Sequence, residues 1–165
     1  MSKKENSTVL AAEIKRILIV DDHPIICDGL AQLINLEADL EVRAKAGNFA
    51  GAVKAVKTQQ IDLAIVDMLL KKETGIQVIK KIKTLRPNLI VLMFSMSDEL
   101  EYIKQAFDAG ARGYITKDEL SEKIIDAIRQ LLGGGIYISK KLAKKFPKHK
   151  IKKGTNSVKK NNEEV

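Results

Sequence analysis

Three acidic residues stand at the ends of short apolar runs. Asp21 and Asp22 follow the run 17–20, and Asp67 follows the run 63–66. Ser95 comes directly after the run 89–94, and Lys117 directly after 113–116. The runs at 17–20, 63–66 and 89–94 are continuous rather than alternating, the pattern of strands covered on both faces. In an open parallel sheet, ligands bind outside the carboxyl ends of the strands, so these residues are expected to converge on one edge. Three carboxylates crowded at one crevice repel unless a cation sits between them. A hard divalent ion that prefers oxygen ligands, Mg²⁺, fits that need, and no cluster of His and Cys favours zinc. A phosphoryl group arriving on Asp67 would meet fixed positive charge from the ion and Lys117. The Ser95 hydroxyl can donate to a phosphoryl oxygen. The chemistry these groups suit is therefore phosphoryl transfer to Asp67, the carboxylate acting as nucleophile and forming an acyl phosphate.

The elements that must position them follow from periodicity. The run 40–44 is weaker and alternates, which predicts an edge strand, and the short run 113–116 is likewise read as an edge. Between the runs lie amphipathic stretches. Ile26, Leu30, Leu33 and Ile34 share a helical face after Pro24, a residue suited to a first turn. Val53 and Val56 mark a shorter helix over 49–58. Ile76, Ile79 and Ile82 follow a capping box formed by Thr74 and Gln77, and Pro87 stops that helix. Leu100, Ile103 and Phe107 form a stripe after Asp98 that ends at Gly110. Ile124, Ile128, Leu131 and Leu132 follow the cap candidate Ser121 and end at the three glycines 133–135. Alternation of strands and helices predicts an α/β doubly wound domain with a five-stranded parallel sheet, in the flavodoxin-like order 2-1-3-4-5.

The chain as a whole is consistent with one such domain. Its 165 residues suffice for one core, and 45% hydrophobic with 4% aromatic content points to Ile, Leu, Val and Ala packing. The single cysteine, Cys27, sits beside Ile25 and Ile26 and reads as a small buried hydrophobe in a reducing cytoplasm. No apolar run is long enough to span a membrane. The net charge of +8 is not spread over the body: ten lysines and two glutamates from Lys140 onward account for all of it. The expected organisation is an N-terminal extension (1–15), the domain (16–133), a linker strand or helix (134–147) capped at Ser139, and a lysine-rich disordered tail (148–165).

The ordered set of motifs resembles the receiver domain of two-component response regulators, in the NarL/FixJ (LuxR-type) subfamily. The resemblance rests on Asp21-Asp22-His23-Pro24, Asp67 with Gly75 eight positions on, Ser95 after an apolar strand, and the segment 109–117 ending in Tyr114-Ile115-Thr116-Lys117. It covers about residues 16–139. It implies that Asp67 accepts the phosphoryl group from a phosphohistidine on a sensor histidine kinase or phosphotransfer protein. It further implies that Asp22, Asp67 and the backbone carbonyl of Leu69 bind Mg²⁺ with help from Asp21. Ser95 and Lys117 would engage the phosphoryl group, and Tyr114 would change rotamer with Ser95. A downstream protein would then meet the face of helix 4, strand 5 and helix 5, a homodimer being a further output. The protein would be a switch in transcription regulation rather than a turnover enzyme. Two positions depart from the pattern: Lys71 stands where many receivers have proline, and Leu69 where many have a polar residue.

Plainer readings apply to some residues. His23 is expected to pack at the helix start, and Lys71 and Lys72 to be solvated. Only 26 residues follow Ser139, so a DNA-binding helix-turn-helix is expected to be absent. The lysine tail could meet nucleic acid through nonspecific attraction alone. Two other functional readings stay open at this level. One is a phosphorylation-independent interaction module with a vestigial site. The other is an aspartate-nucleophile phosphatase, which would commonly carry its general acid at the position of Leu69.

Overall fold

The computed structural model describes residues 11–146. The lysine-rich tail at 148–165 lies outside the described residues, as does most of the N-terminal extension. The chain alternates strand and helix: β1 (Lys15–Val20), α1 (Pro24–Asn35), β2 (Leu40–Ala46), α2 (Phe49–Thr58), β3 (Leu63–Asp67), α3 (Gly75–Leu85), β4 (Ile90–Ser95), α4 (Leu100–Ala109), β5 (Gly113–Thr116), α5 (Leu120–Leu132), β6 (Tyr137–Ile138) and α6 (Lys140–Lys145). All strand pairs are parallel, in the order β2-β1-β3-β4-β5-β6.

Period-2 alternation divides the core between two faces. Ile17, Ile19, Leu63, Ile65, Leu92, Phe94 and Ile115 point toward α1 and α5, where Leu30, Ile34, Ile124 and Ile128 meet them. Leu18, Val20, Ala64, Val66, Val91 and Met93 point the other way, toward Val56, Ile79, Ile82 and Ile103 of α2, α3 and α4. Both faces of the central strands are covered, which explains why their sequences are continuously apolar. The helix termini follow the local chemistry. Pro24 opens α1. The Thr74 hydroxyl accepts the Gln77 amide while the Gln77 side chain accepts the Thr74 amide, closing the capping box of α3. Gly110 ends α4 at φ 113°, a left-handed conformation that other residues adopt only with strain.

The structure corrects the expected sheet. It has six strands, not five, and β5 is not an edge, because β6 pairs with it through Gly113–Tyr137 and Tyr114–Ile138. Two residues are too short a run to carry a periodic signal, so β6 is invisible as a pattern. The helix after it is capped by Ser139, whose hydroxyl accepts the Leu142 amide. Leu142 and Phe146 are buried beside Phe107 and Tyr114, so the segment read as a linker closes one end of the sheet. Phe146 stacks on Phe107 with ring centroids 6.0 Å apart and planes at 4°. The start of α5 also differs. A 3-10 turn over Lys117–Glu119 winds directly into the helix, so Glu119 rather than Ser121 stands at its N-terminus.

Candidate functional site

β1 and β3 are adjacent, and both stop at the same edge of the sheet, with Val20 in register with Val66. Their next residues are Asp21 and Asp67, each only 2% exposed. Lys117 reaches the same place from the end of β5. Its Nζ donates to Asp67 Oδ2 at 3.2 Å and lies 3.8 Å from Asp21 Oδ2. The ring of Phe94, next to last in the neighbouring β4, has its centroid 4.9 Å from that ammonium and adds a cation–π contact to the two carboxylates. Asp67 Oδ1 accepts the Leu69 amide at 3.3 Å. The close approach of α3 behind the acceptor requires glycine, because a Cβ on Gly75 would overlap the backbone carbonyl of Asp67.

Asp21, Asp22, His23 and Asp67 each present a donor atom within 4.8 Å of the others. Asp21 Oδ2 and Asp22 Oδ1 are buried without a hydrogen-bond partner among the described residues. An unpartnered buried carboxylate oxygen is costly in a protein interior, and a hard divalent cation is the group that would satisfy both. Burial pushes the Asp67 carboxyl above its ordinary 3.8, and the Asp21 charge adds to the rise; Lys117 and the Leu69 amide act against it. Burial therefore outweighs the single lysine, and the site holds more negative charge than its own cation offsets. The residues present fit Mg²⁺ on this ground.

Ser95 and Tyr114 are placed differently. Ser95 lies one residue beyond Phe94, the register partner of Asp67. It is buried, and its hydroxyl accepts the Ser97 amide at 3.0 Å rather than meeting the carboxylates. The Tyr114 hydroxyl donates to the Ser97 carbonyl at 2.7 Å, so Ser97 links the two. Tyr114 is wholly buried on β5, which β6 covers, so it does not stand at the edge expected of the run 113–116. Leu69 turns its side chain outward at 64% exposure. Cys27 is buried against the Asp21 carbonyl, and burial pushes its thiol up, away from nucleophilic character. Lys71 and Lys72 are exposed.

One reading of a site residue fails. His23 does not pack at the helix start. Its side chain is 61% exposed and contributes no cap, and its Nδ1 instead lies 2.8 Å from Asp21 Oδ1 and 3.0 Å from Asp22 Oδ1. The cause is local. The extended backbone at His23 and the bond from its own amide to Asp21 Oδ1 turn the ring back over the acids. The adjacency of His23 to the acidic pair was the available signal. Phe94 beneath Lys117 had none, since its role arises between strands, and Gly75 was marked only by its place in the motif eight positions after Asp67.

The family model for the response regulator receiver domain matches residues 17–129. The chain belongs to that family. The receiver is 33% identical to the transcriptional regulatory protein MctR of Rhizobium johnstonii over 75% of this chain and 58% of MctR. It is 37% identical to the transcriptional activator protein ExaE of Pseudomonas putida over 77% of this chain and 59% of ExaE. The chain thus spans less than two thirds of the length of these relatives. Among solved structures, a LuxR-family two-component response regulator from an Aurantimonas species superposes with a TM-score of 0.78 at 28% identity, covering 85% of this chain and all of that one. No helix among the described residues is long and apolar enough to cross a membrane.

Proposed function

We propose that the receiver is a cytoplasmic signalling switch that takes a phosphoryl group onto Asp67 from a phosphohistidine of a sensor kinase or phosphotransfer protein. One observation carries this reading: three carboxylates from two strand ends cluster, two of them against Lys117, and two of their oxygens are buried without a hydrogen-bond donor among the described residues. Asp22, Asp67 and the Leu69 carbonyl would hold Mg²⁺, with Asp21 assisting. Bound there, the ion would supply positive charge that offsets the carboxylates and the incoming phosphoryl oxygens. Asp67 attacks phosphorus, the N–P bond of the donor breaks, and its electron pair leaves with the imidazole. Lys117, already bonded to Asp67, is placed to neutralise a phosphoryl oxygen. Ser95 would exchange its bond to Ser97 for one to that group, and Tyr114, tied to the same Ser97, would respond.

Partner surfaces follow from exposure. Ile25 in the first turn of α1, and Leu69 and Met96 on the loops after β3 and β4, stand exposed around the edge that carries the acids. An approaching kinase domain would cover that apolar rim. On the output side, β6 and α6 already occupy part of the α4–β5 surface, so a downstream protein would meet α6 as well as α4 and α5. The Leu69 position offers no general acid, which weighs against a phosphatase.

The test is a titration of beryllofluoride and Mg²⁺ followed by amide NMR, with acetyl phosphate and intact mass as the covalent readout. The wild type should shift and gain one phosphoryl mass, and Asp67→Asn should do neither. Equal responses in both proteins would remove Asp67 as acceptor; turnover of a small phosphoester would return the phosphatase.

A further inference from the structure

We infer that α6 is a built-in helical ligand of the α4–β5 face, docked in the unphosphorylated receiver and released when Asp67 carries a phosphoryl group. This rests on the switch reading above and deepens it by naming the part that moves. α6 spans six residues, Lys140–Lys145. Isolated helices shorter than about 12–15 residues are marginal in water, so its helicity depends on its seat. Its own side chains do not help: Lys140 with Lys144, and Lys141 with Lys145, are exposed like charges four residues apart, which destabilise a helix. The seat has an apolar and a polar part. The apolar part is the buried cluster in which Leu142 and Phe146 lie with Phe107, Tyr114 and Ile138, the Phe146 ring stacked on Phe107. The polar part is Asp98, whose Oδ2 accepts a hydrogen bond from the Lys145 ammonium at 3.0 Å. That bond, then the Lys145 charge, with Lys141 adding less, holds the Asp98 carboxyl below its ordinary value.

Both parts of the seat run back to Ser97. Its amide donates to Ser95 Oγ at 3.0 Å, its carbonyl accepts the Tyr114 hydroxyl at 2.7 Å, and Asp98 is the next residue. One backbone segment thus joins Ser95, which faces the phosphoryl event, to the two groups on which α6 rests. When Ser95 turns to a phosphoryl oxygen, the Ser97 amide loses its acceptor. The segment then carries Asp98 away from Lys145 and frees the Tyr114 ring beneath Leu142 and Phe146. A close-packed seat cannot follow by small steps, so α6 leaves and unwinds. In the docked state a partner meets α6; release uncovers Phe107 and presents a different surface.

The experiment follows amide hydrogen exchange in the full chain by NMR, with and without beryllofluoride and Mg²⁺. The reporters are the Ala143 and Phe146 amides, bonded to the Ser139 and Leu142 carbonyls, and the reference is the Tyr137 amide, bonded to the Arg112 carbonyl. Beryllofluoride should speed exchange at Ala143 and Phe146 about tenfold or more and leave Tyr137 within about twofold. Phe146→Ala should exchange fast at Ala143 without beryllofluoride and show no further rise with it; circular dichroism checks that the variant is folded. Asp98→Asn keeps the apolar seat and, having lost only an exposed pair, should speed exchange about two- to threefold without beryllofluoride. Unchanged α6 exchange in a receiver whose Leu69 amide shifts on adding beryllofluoride would overturn the proposal and leave the acceptor reading standing. An equal rise at Tyr137 would also overturn it, since the whole end of the sheet would then be fraying. If no amide near Asp67 responds, the acceptor reading falls, and this inference with it.

Discussion

The acid edge and the C-terminal closure of the sheet are both buried, yet they are built on opposite terms. Around Asp67, charge is buried beyond what the local cation offsets: Lys117 faces two acids, and two carboxylate oxygens have no donor. Around Phe146, apolar groups are buried and polar ones are matched. Phe107 and Phe146 stack, Leu142 is fully enclosed, and Ser139 caps its helix. The one ion pair there among the described residues, Lys145 with Asp98 at 3.0 Å, lies at the exposed rim. The first region stores unfavourable electrostatics that a ligand can relieve, and the second is satisfied as it stands. Local stability is spent where function needs a response.

That contrast can be broken by substitution. Gly75→Ala should have the largest effect, a loss of about 3 kcal/mol or more in urea unfolding, because its Cβ meets the Asp67 carbonyl and backbone must move. It should also abolish the Mg²⁺ response by displacing the acceptor. Leu142→Ala should cost about 2–4 kcal/mol by leaving a cavity in the closure, while the Mg²⁺ shift at the acid edge is retained. Loss of both together would show that the two regions are one unit.

The sign reverses at the acids. Asp67→Asn should raise metal-free stability at pH 7 by on the order of 1 kcal/mol, since it removes a charge that is worse off buried than in water. The folded-state value of Asp67 lies above its unfolded 3.8. The native state therefore holds that proton more tightly, and the group's contribution to stability falls as pH rises from 3.8 through the folded value. The advantage of the variant should accordingly shrink as the pH approaches 3.8 and be full above the folded value, in melts without divalent ions. A destabilised Asp67→Asn would mean that Lys117 outweighs burial. The smallest effect belongs to Lys145→Ala, whose exposed pair with Asp98 should leave the melting midpoint within the scatter of repeat scans.

Much of the scaffold was legible because burial on both faces writes itself into sequence as continuous apolar runs. β1, β3 and β4, the capping box at Thr74 and Gln77, and the stop at Gly110 are local signals with local causes. β6 escaped because two residues show no period, and its partner β5 was consequently read as an edge. His23 was misread because a ring that follows two acids can face the helix or the acids, and only backbone direction chooses.

By itself, the sequence determined the list of reactive groups and their attachment to strand ends. A parallel sheet must then deliver those ends to one edge, whatever the loops do. Only the tertiary structure decided which groups are short of partners there. Hydrogen-bond satisfaction is a count made between elements, among atoms brought together from β1, β3 and β5. That count leaves Asp21 and Asp22 unsatisfied, turns His23 toward them, and places Phe94 under Lys117.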